Sequence, residues 1–262
     1  MINRFAIPVS ALALAAGTTA IATPAMAATA AAPSSHVRLL PGGVFKPATA
    51  LGTHGAARVG GKAIEYSSNW SGYAVTGGTY TSVSATWVQN AGTCSSSDTD
   101  TDMSPWVGID GYSSSSVEQT GTSVDCSGAT KTYYAWYEMY PANFVTINHT
   151  VKAGDTFYGA VNRSGTSYTL TLEDETQGWT NTVTKTGSNA NSSAEAIMEM
   201  AADELTKWSG TDPFTSFTVN GVAAGSAGTT HQMEIQSGST LCDTTSSLSS
   251  GENFTETWDN LC

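Results

Sequence analysis

From Trp70 onward the chain alternates apolar and polar residues over short runs, broken by Gly, Ser, Asn and Asp. "WSGYAV", "VSATWVQ", "PWVGIDG", "TYYAWYEMYP", "DTFYGAVNRSGTSYTLTLED", "WTNTVTKTG", "FTSFTVNG" and "HQMEIQSG" all carry the period of two that a half-buried strand requires. So many short strands predict an all-β fold, an antiparallel β-sandwich of two large sheets in the manner of a lectin-like jelly roll. Arg163-Ser164-Gly165-Thr166 reads as a tight hairpin turn and Ser113 to Ser116 as a longer one. One segment, "SSAEAIMEMAADELTKW" (192–208), carries conflicting signals. Its Ala, Glu, Met and Leu content favours helix. Its first half also alternates, with Glu195, Ile197 and Glu199 on one face and Ala194, Ala196, Met198 and Met200 on the other.

Strand parity groups the side chains that could carry chemistry. Tyr134, Trp136, Glu138 and Tyr140 share one face of their strand, opposite Tyr133, Ala135, Tyr137 and Met139. A carboxylate framed by three aromatics is costly to bury alone, so Glu138 reads as a cleft residue or as a solvated one on a binding surface. Even spacing puts Trp106 with Asp110, and Val117 with Gln119. Glu118 then points away from Gln119 and reads as a solvated or structural residue.

The ends differ from this middle. Arg4, an apolar run to Ala22 and the small-x-small site Ala25-Met26-Ala27 predict a signal peptide over 1–27, and hence a secreted, extracellular protein. Residues 28–65 hold Pro33, Pro41 and Pro47, and four basic residues (Arg38, Lys46, Arg58, Lys62) against Glu65 alone give +3. From Tyr66 onward five basic residues against 21 acidic ones give −16. A Pro- and Gly-rich stretch of opposite charge reads as a propeptide that inhibits the domain of 66–262, with a disordered linker as the plainer alternative. Its end falls somewhere between Gly60 and Ser68. The acidity argues against nucleic acid or an anionic membrane as partner, and with so few cations the domain is expected to stay folded in acid. Nothing in the sequence calls for an oligomer, so a monomer is expected.

Cys94, Cys126, Cys242 and Cys262 fit two disulfides in an exported chain. Three pairings are open, and Cys94–Cys126 with Cys242–Cys262 closes the two most local loops. No C-x-x-C pair supports zinc, and no metal or other cofactor is expected. Asn69, Asn148, Asn162, Asn191 and Asn253 begin N-x-S/T sequons. Familiar hydrolase signatures are missing: there is no G-x-S-x-G elbow, no H-E-x-x-H and no Asp-Thr-Gly or Asp-Ser-Gly turn. Acids, amides and aromatics remain as candidate chemistry.

Four segments together, "SNWSGYAV" (68–75), "PWVGIDGYSSSSVEQTG" (105–121), "YYAWYEMYP" (133–141) and "SAEAIMEM" (193–200), make the chain resemble the eqolisins, the pepstatin-insensitive glutamic peptidases. The resemblance covers nearly all of the chain after Tyr66. It implies a β-sandwich, a propeptide removed on activation, acid endopeptidase activity on protein or peptide substrates, and a catalytic pair at Gln119 and Glu195. It also implies that Trp70, Trp106, Asp110, Trp136, Glu138 and Tyr140 line a substrate cleft, and that 194–200 is a strand, followed by a short helix. Ala196 departs from the family's usual large aromatic after the catalytic Glu, and Asp125 is offset by two residues from a cleft carboxylate. The rival readings are a glycoside hydrolase using Glu138 and Glu195, with Gln119 as a sugar-binding amide, and a non-catalytic lectin-like module.

Overall fold

The computed structural model describes residues 63–262 throughout and, at the level of backbone, 50–52, 58–59 and 62. The expected signal peptide and most of the expected propeptide lie outside the described residues. Short strands at Ala50–Gly52 (β1) and Arg58–Val59 (β2) both pair with Lys62–Ser67 (β3). Next come Trp70–Thr76 (β4), Ser82–Val88 (β5), Thr101–Ile109 (β6), Val117–Ser127 (β7), Thr130–Tyr140 (β8) and Val145–Ile147 (β9). They are followed by Thr156–Ser164 (β10), Ser167–Asp174 (β11), Trp179–Thr186 (β12), Ser193–Glu199 (β13) and Glu204–Leu205 (β14). Asp212–Val219 (β15), Val222–Ala223 (β16), Thr229–Ser237 (β17), Thr240–Thr245 (β18) and Phe254–Trp258 (β19) complete the chain.

Pairing arranges these strands in two layers. One runs β9–β8–β7–β6–β13–β4–β17–β3, antiparallel except for the parallel β17–β3 pair. The other runs β12–β11–β10–β5–β15–β19, and β18 joins the two by pairing with both β17 and β19. The expected antiparallel sandwich is therefore present. Its core is built from the inward residues of both layers: Tyr73, Val75, Val107, Ile109, Ala194 and Ala196 meet Trp87, Phe157, Leu170, Leu172, Phe214 and Phe217. Trp87 of the second layer donates its indole N–H to Thr122 Oγ1 of the first at 2.9 Å. Gly159 makes room for that indole, since a Cβ there would sit 2.7 Å from the ring. The two disulfides are Cys94–Cys126 and Cys242–Cys262, the local pairing.

The helix-prone segment resolves as β13 and then an irregular stretch around β14, so the expected short helix is absent. β13 lies between β4 and β6 and is buried along its whole length, and tertiary pairing overrides helix propensity there. Beyond it, Asp102 captures the Ala202 amide at 2.7 Å, Leu205 and Trp208 enter a cluster with Met103, Val124 and Ile235, and β14 pairs with the start of β6. The α-helix among the described residues is the single turn Ala224–Ala227.

Among the described residues the interior holds many carboxyl groups with no Lys or Arg in an ion pair. Asp102 and Asp125 are cross-strand neighbours on β6 and β7. Burial raises Asp102 to about 6. Burial, then repulsion from Asp102, raises Asp125 to about 8. Asp212, Asp243 and Glu256 form a second cluster, held well above the carboxylate range by burial first, with repulsion from Asp243 adding to it at Asp212 and Glu256 and repulsion from Asp259 at Asp243. Ser71 donates to Asp243, and Thr245 lies within hydrogen-bond distance of both Glu256 oxygens. These groups hold protons in the folded state that the unfolded chain releases near pH 4, so folding is favoured in acid and the advantage disappears as pH rises through the folded values. Thermal unfolding should therefore show a melting temperature that drops by on the order of 10 °C between about pH 4 and about pH 8. Asp125→Asn should flatten that fall. A melting temperature that rises over this interval would contradict the assignment of protonated buried carboxyls.

Candidate active site

Register fixes the site. Glu195 on β13 lies opposite Gly108 on β6, Gly108 opposite Gln119 on β7, and Gln119 opposite Glu138 on β8. Residues directly opposite one another point to the same sheet face. The four thus form one row across the first layer, on the face turned away from the core between the sheets. On the other side of Glu195 the row continues through Ala74 to His231. Neighbouring strands are about 4.8 Å apart, so the Cα atoms of Glu195 and Gln119 stand about 10 Å apart across Gly108.

Gly108 leaves this space to an aromatic ring. A Cβ there would lie 2.8 Å from the Trp106 indole and 3.1 Å from the Gln119 Cβ. Trp106 thus lies between the Glu and the Gln. It meets Trp70 edge-on with centroids 4.8 Å apart and donates its N–H to Glu199 Oε2 at 2.9 Å. Behind it the Trp136 indole donates to Ser123 Oγ at 2.9 Å. Ser123 bonds Ser104 at 2.7 Å, and Ser104 donates to Asp102 Oδ2 at 3.0 Å. Trp70, Trp106, Trp136 and Ile197 form one cluster, against which the half-buried Tyr140 packs. The three Trp expected to line a cleft are therefore gathered here, with their rings fully buried.

Gln119 donates from Nε2 to Glu138 Oε2 at 2.6 Å, which orients the amide. Glu138 is buried and paired in this way rather than solvated. Glu195 is also fully buried, and neither of its oxygens has a hydrogen-bond partner of normal geometry among the described residues. Burial pushes its carboxyl well above the ordinary glutamic value. The Ser193 side chain and the Tyr112 backbone pull it back, while Asp110 and Glu118 push it further up. The balance favours the neutral acid form of Glu195 over the carboxylate.

One expectation needs correction. Asp110 does not continue the face of Trp106. It sits just past β6 with φ at 71°, which breaks the alternation, and its carboxylate accepts from the amides of Asn191 (2.7 Å) and Ser192 (2.8 Å) and from the Ser192 hydroxyl (3.1 Å). Its own N–H donates to Ser193 O at 3.0 Å. It grips the chain entering the strand of Glu195. Of the two readings of Glu118, solvated or structural, the structure shows the second: it is buried against the core, accepts from Asn189, and is raised to about 8 by burial and then by Asp110. Asp125 stays with Asp102, several residues along β7 from the row. Sequence reading passed over Glu199, although its place four residues after Glu195 on the same strand face was visible. It also passed over the contacts of His231, which join segments far apart in sequence and leave no local signal. Among the described residues no group of three or more His, Cys, Asp or Glu is placed to hold a metal ion.

The Peptidase A4 family model matches residues 68–258. Among solved structures the chain is similar to scytalido-glutamic peptidase with a peptide-based transition-state analogue, at 25% identity and a TM-score of 0.62 over 73% of this chain and 98% of that one. It is similar to aspergilloglutamic peptidase from Aspergillus niger at 28% identity and a TM-score of 0.50, over 60% of this chain and 99% of that one. SCP-B, an eqolisin solved with the tripeptide Ala-Ile-His, shares the fold at 24% identity, with a TM-score of 0.59 over 73% of this chain and 98% of that one. No curated protein matches the chain significantly in sequence.

The row tolerates no side chain at its centre. Gly108→Ala should cost about 1–3 kcal/mol through overpacking and displace Trp106, read as a lower melting temperature and a shifted Trp fluorescence. A variant unchanged in both would show that the space over Gly108 has slack.

Proposed function

The chain belongs to the Peptidase A4 family, the eqolisins, and is a glutamic-type endopeptidase; from that premise we propose that Glu195 and Gln119 are its catalytic pair and that it works in acid. The observation that carries this reading is the in-register row, with a buried Glu195, its carboxyl raised by burial, on one side of Gly108 and an oriented amide on the other.

Peptide hydrolysis needs an activated water, a place for charge on the carbonyl oxygen, and a proton for the departing amine. A neutral carboxyl can meet the first and last needs with its two oxygens. As water attacks the carbonyl carbon, the carboxyl C=O of Glu195 takes one water proton while its O–H protonates the carbonyl oxygen. The intermediate is a neutral tetrahedral diol, and Glu195 remains an acid. In collapse, Glu195 protonates the nitrogen, the C–N bond breaks, and a diol proton returns to the carboxyl. No bond to the enzyme forms. General acid–base help of this kind is worth roughly 10²–10⁴-fold.

Gln119 holds the oxygen on which charge develops. Its NH₂ group has two donors, and one goes to Glu138. The mechanism uses the other, at about 10²–10³-fold for one such donor. An amide does not titrate, so it serves in acid without coupling to Glu195. Glu138 fixes the amide's orientation, and Asp110 fixes the start of the strand carrying Glu195. Export by residues 1–27, inhibition by a removable segment 28–65 and action as a monomer belong to the same reading. A glycosidase pairing of Glu138 with Glu195 is disfavoured because Gln119 stands between them and is bonded to Glu138.

Incubation with denatured casein in acid should give cleavage that pepstatin does not stop. Glu195→Gln and Gln119→Ala should each reduce it by about 10²-fold or more with the fold intact; near-normal cleavage by either variant removes that residue from the pair. Asp110→Asn should lower kcat with KM little changed, because Asp110 acts through Glu195; a rise in KM alone would instead make it a substrate contact.

A further inference from the structure

Beyond Gln119 and Glu195, one polar knot at the edge of the first layer has no part in the mechanism. His231 on β17 points its Nδ1 at Glu65 Oε1, 2.7 Å away. The Tyr112 hydroxyl donates to the other Glu65 oxygen at 2.5 Å and lies 2.9 Å from the same His231 nitrogen. Thr76 Oγ1 is 2.8 Å from His231 Nε2, and the Tyr112 and His231 rings are 4.5 Å apart. Three separate pieces of chain, β3, β17 and the loop after β6, thus meet at one carboxylate, and β4 joins them through His231. It is the one ion pair among the described residues.

The position of Glu65 gives the knot its meaning. β3 is joined to the domain by its parallel pairing with β17 at residues 64–67. The short upstream strands β1 and β2 fold back onto β3 rather than onto the rest of the layer. Everything upstream of residue 62 for which pairing is described is therefore attached through β3. The same strand spans the point where the charge balance of the chain reverses. On the far side of Ala74 lies Glu195, which has no exposed surface, and neither has Gln119 or Glu138.

We propose that Glu65, His231 and Tyr112 form an acid-released latch that holds the junction strand β3 on the domain. The proposal rests on the reading of residues 28–65 as a removable segment. The groups facing Glu65 are His231 from β17 and Tyr112 from the loop after β6. Thr76 of β4 faces His231 and does not titrate, and Glu234 of β17 points to the opposite face. Burial pushes the Glu65 carboxyl up, but the bonds from His231 and Tyr112 outweigh it and leave the group below its ordinary value. A depressed carboxyl strengthens the folded arrangement at neutral pH and stops doing so as pH falls through its folded value. Protonation then removes the charge that both bonds rely on, and β3 keeps only its backbone ladder.

Amide exchange of residues 62–67 in the full chain tests this, in a Glu195→Gln background that should not cut itself. Expressed as protection relative to the free peptide, exchange should loosen about tenfold or more between neutral and acid pH. Amides of the β10–β11 hairpin should stay protected. Glu65→Gln should show the loosened β3 already at neutral pH and no further step in acid. Tyr112→Phe, which removes one hydroxyl, should fall between. Wild-type protection at neutral pH in both variants, or no acid loosening in the parent, overturns the latch. A second arm separates this from the reading beneath it: with Glu195 intact, the N-terminal mass should show processing that begins at higher pH in Glu65→Gln. If the chain is never processed while the exchange results hold, the removable-segment reading fails and the latch stands as a clamp on β3. If processing occurs with the same pH dependence in both chains, the latch does not control it.

Discussion

The structure depends on carboxyl groups being buried with protons, rather than cations, as their counterweight. Asp102, Glu118, Asp125, Glu195, Asp212, Asp243 and Glu256 are buried or nearly so, and among the described residues none of them meets a Lys or Arg in an ion pair. An ionised carboxylate in such surroundings costs several kcal/mol, and the group takes up a proton instead. The same condition that holds the sandwich together therefore holds Glu195 as an acid. In the proposed mechanism stability and catalysis share one variable, the availability of protons. Glu65, which is hydrogen-bonded to His231 and Tyr112, is displaced in the opposite direction, and so a fall in pH weakens its contacts while it secures the rest.

The second constraint is the flatness of one row of a β-sheet. Registry alone places Glu195, Gly108, Gln119 and Glu138 side by side, and the missing side chain at Gly108 lets the Trp106 indole lie between acid and amide. Each member is fixed by a neighbour that does not itself react: Glu138 turns the Gln119 amide, Asp110 grips the residues before Glu195, and Glu199 holds the Trp106 indole. A site built on central strands needs few loops to be exact.

Much of this was legible in the sequence because strands advertise themselves by alternation. The faces of Tyr133 to Tyr140 and of Ala194 to Met200 follow from parity, and the family resemblance pointed to Gln119 and Glu195. Reading failed where a local rule was overridden by contacts from elsewhere. Asp110 leaves its strand face because its backbone turns to positive φ and finds two amides 81 and 82 residues away. Residues 202–207 refuse a helix because Asp102 and a hydrophobic cluster claim them. Glu65 and His231, 166 residues apart, carry no pattern that a linear reading could join.

The central claim is that Glu195 begins the reaction as an acid. It is tested most directly by infrared spectroscopy of the full chain, with the protonated carboxyl band of Glu195 identified by its loss in Glu195→Gln. The account predicts that this band persists well above pH 4.5, the ordinary glutamic value. A Glu195 that ionises at or below that pH would contradict it.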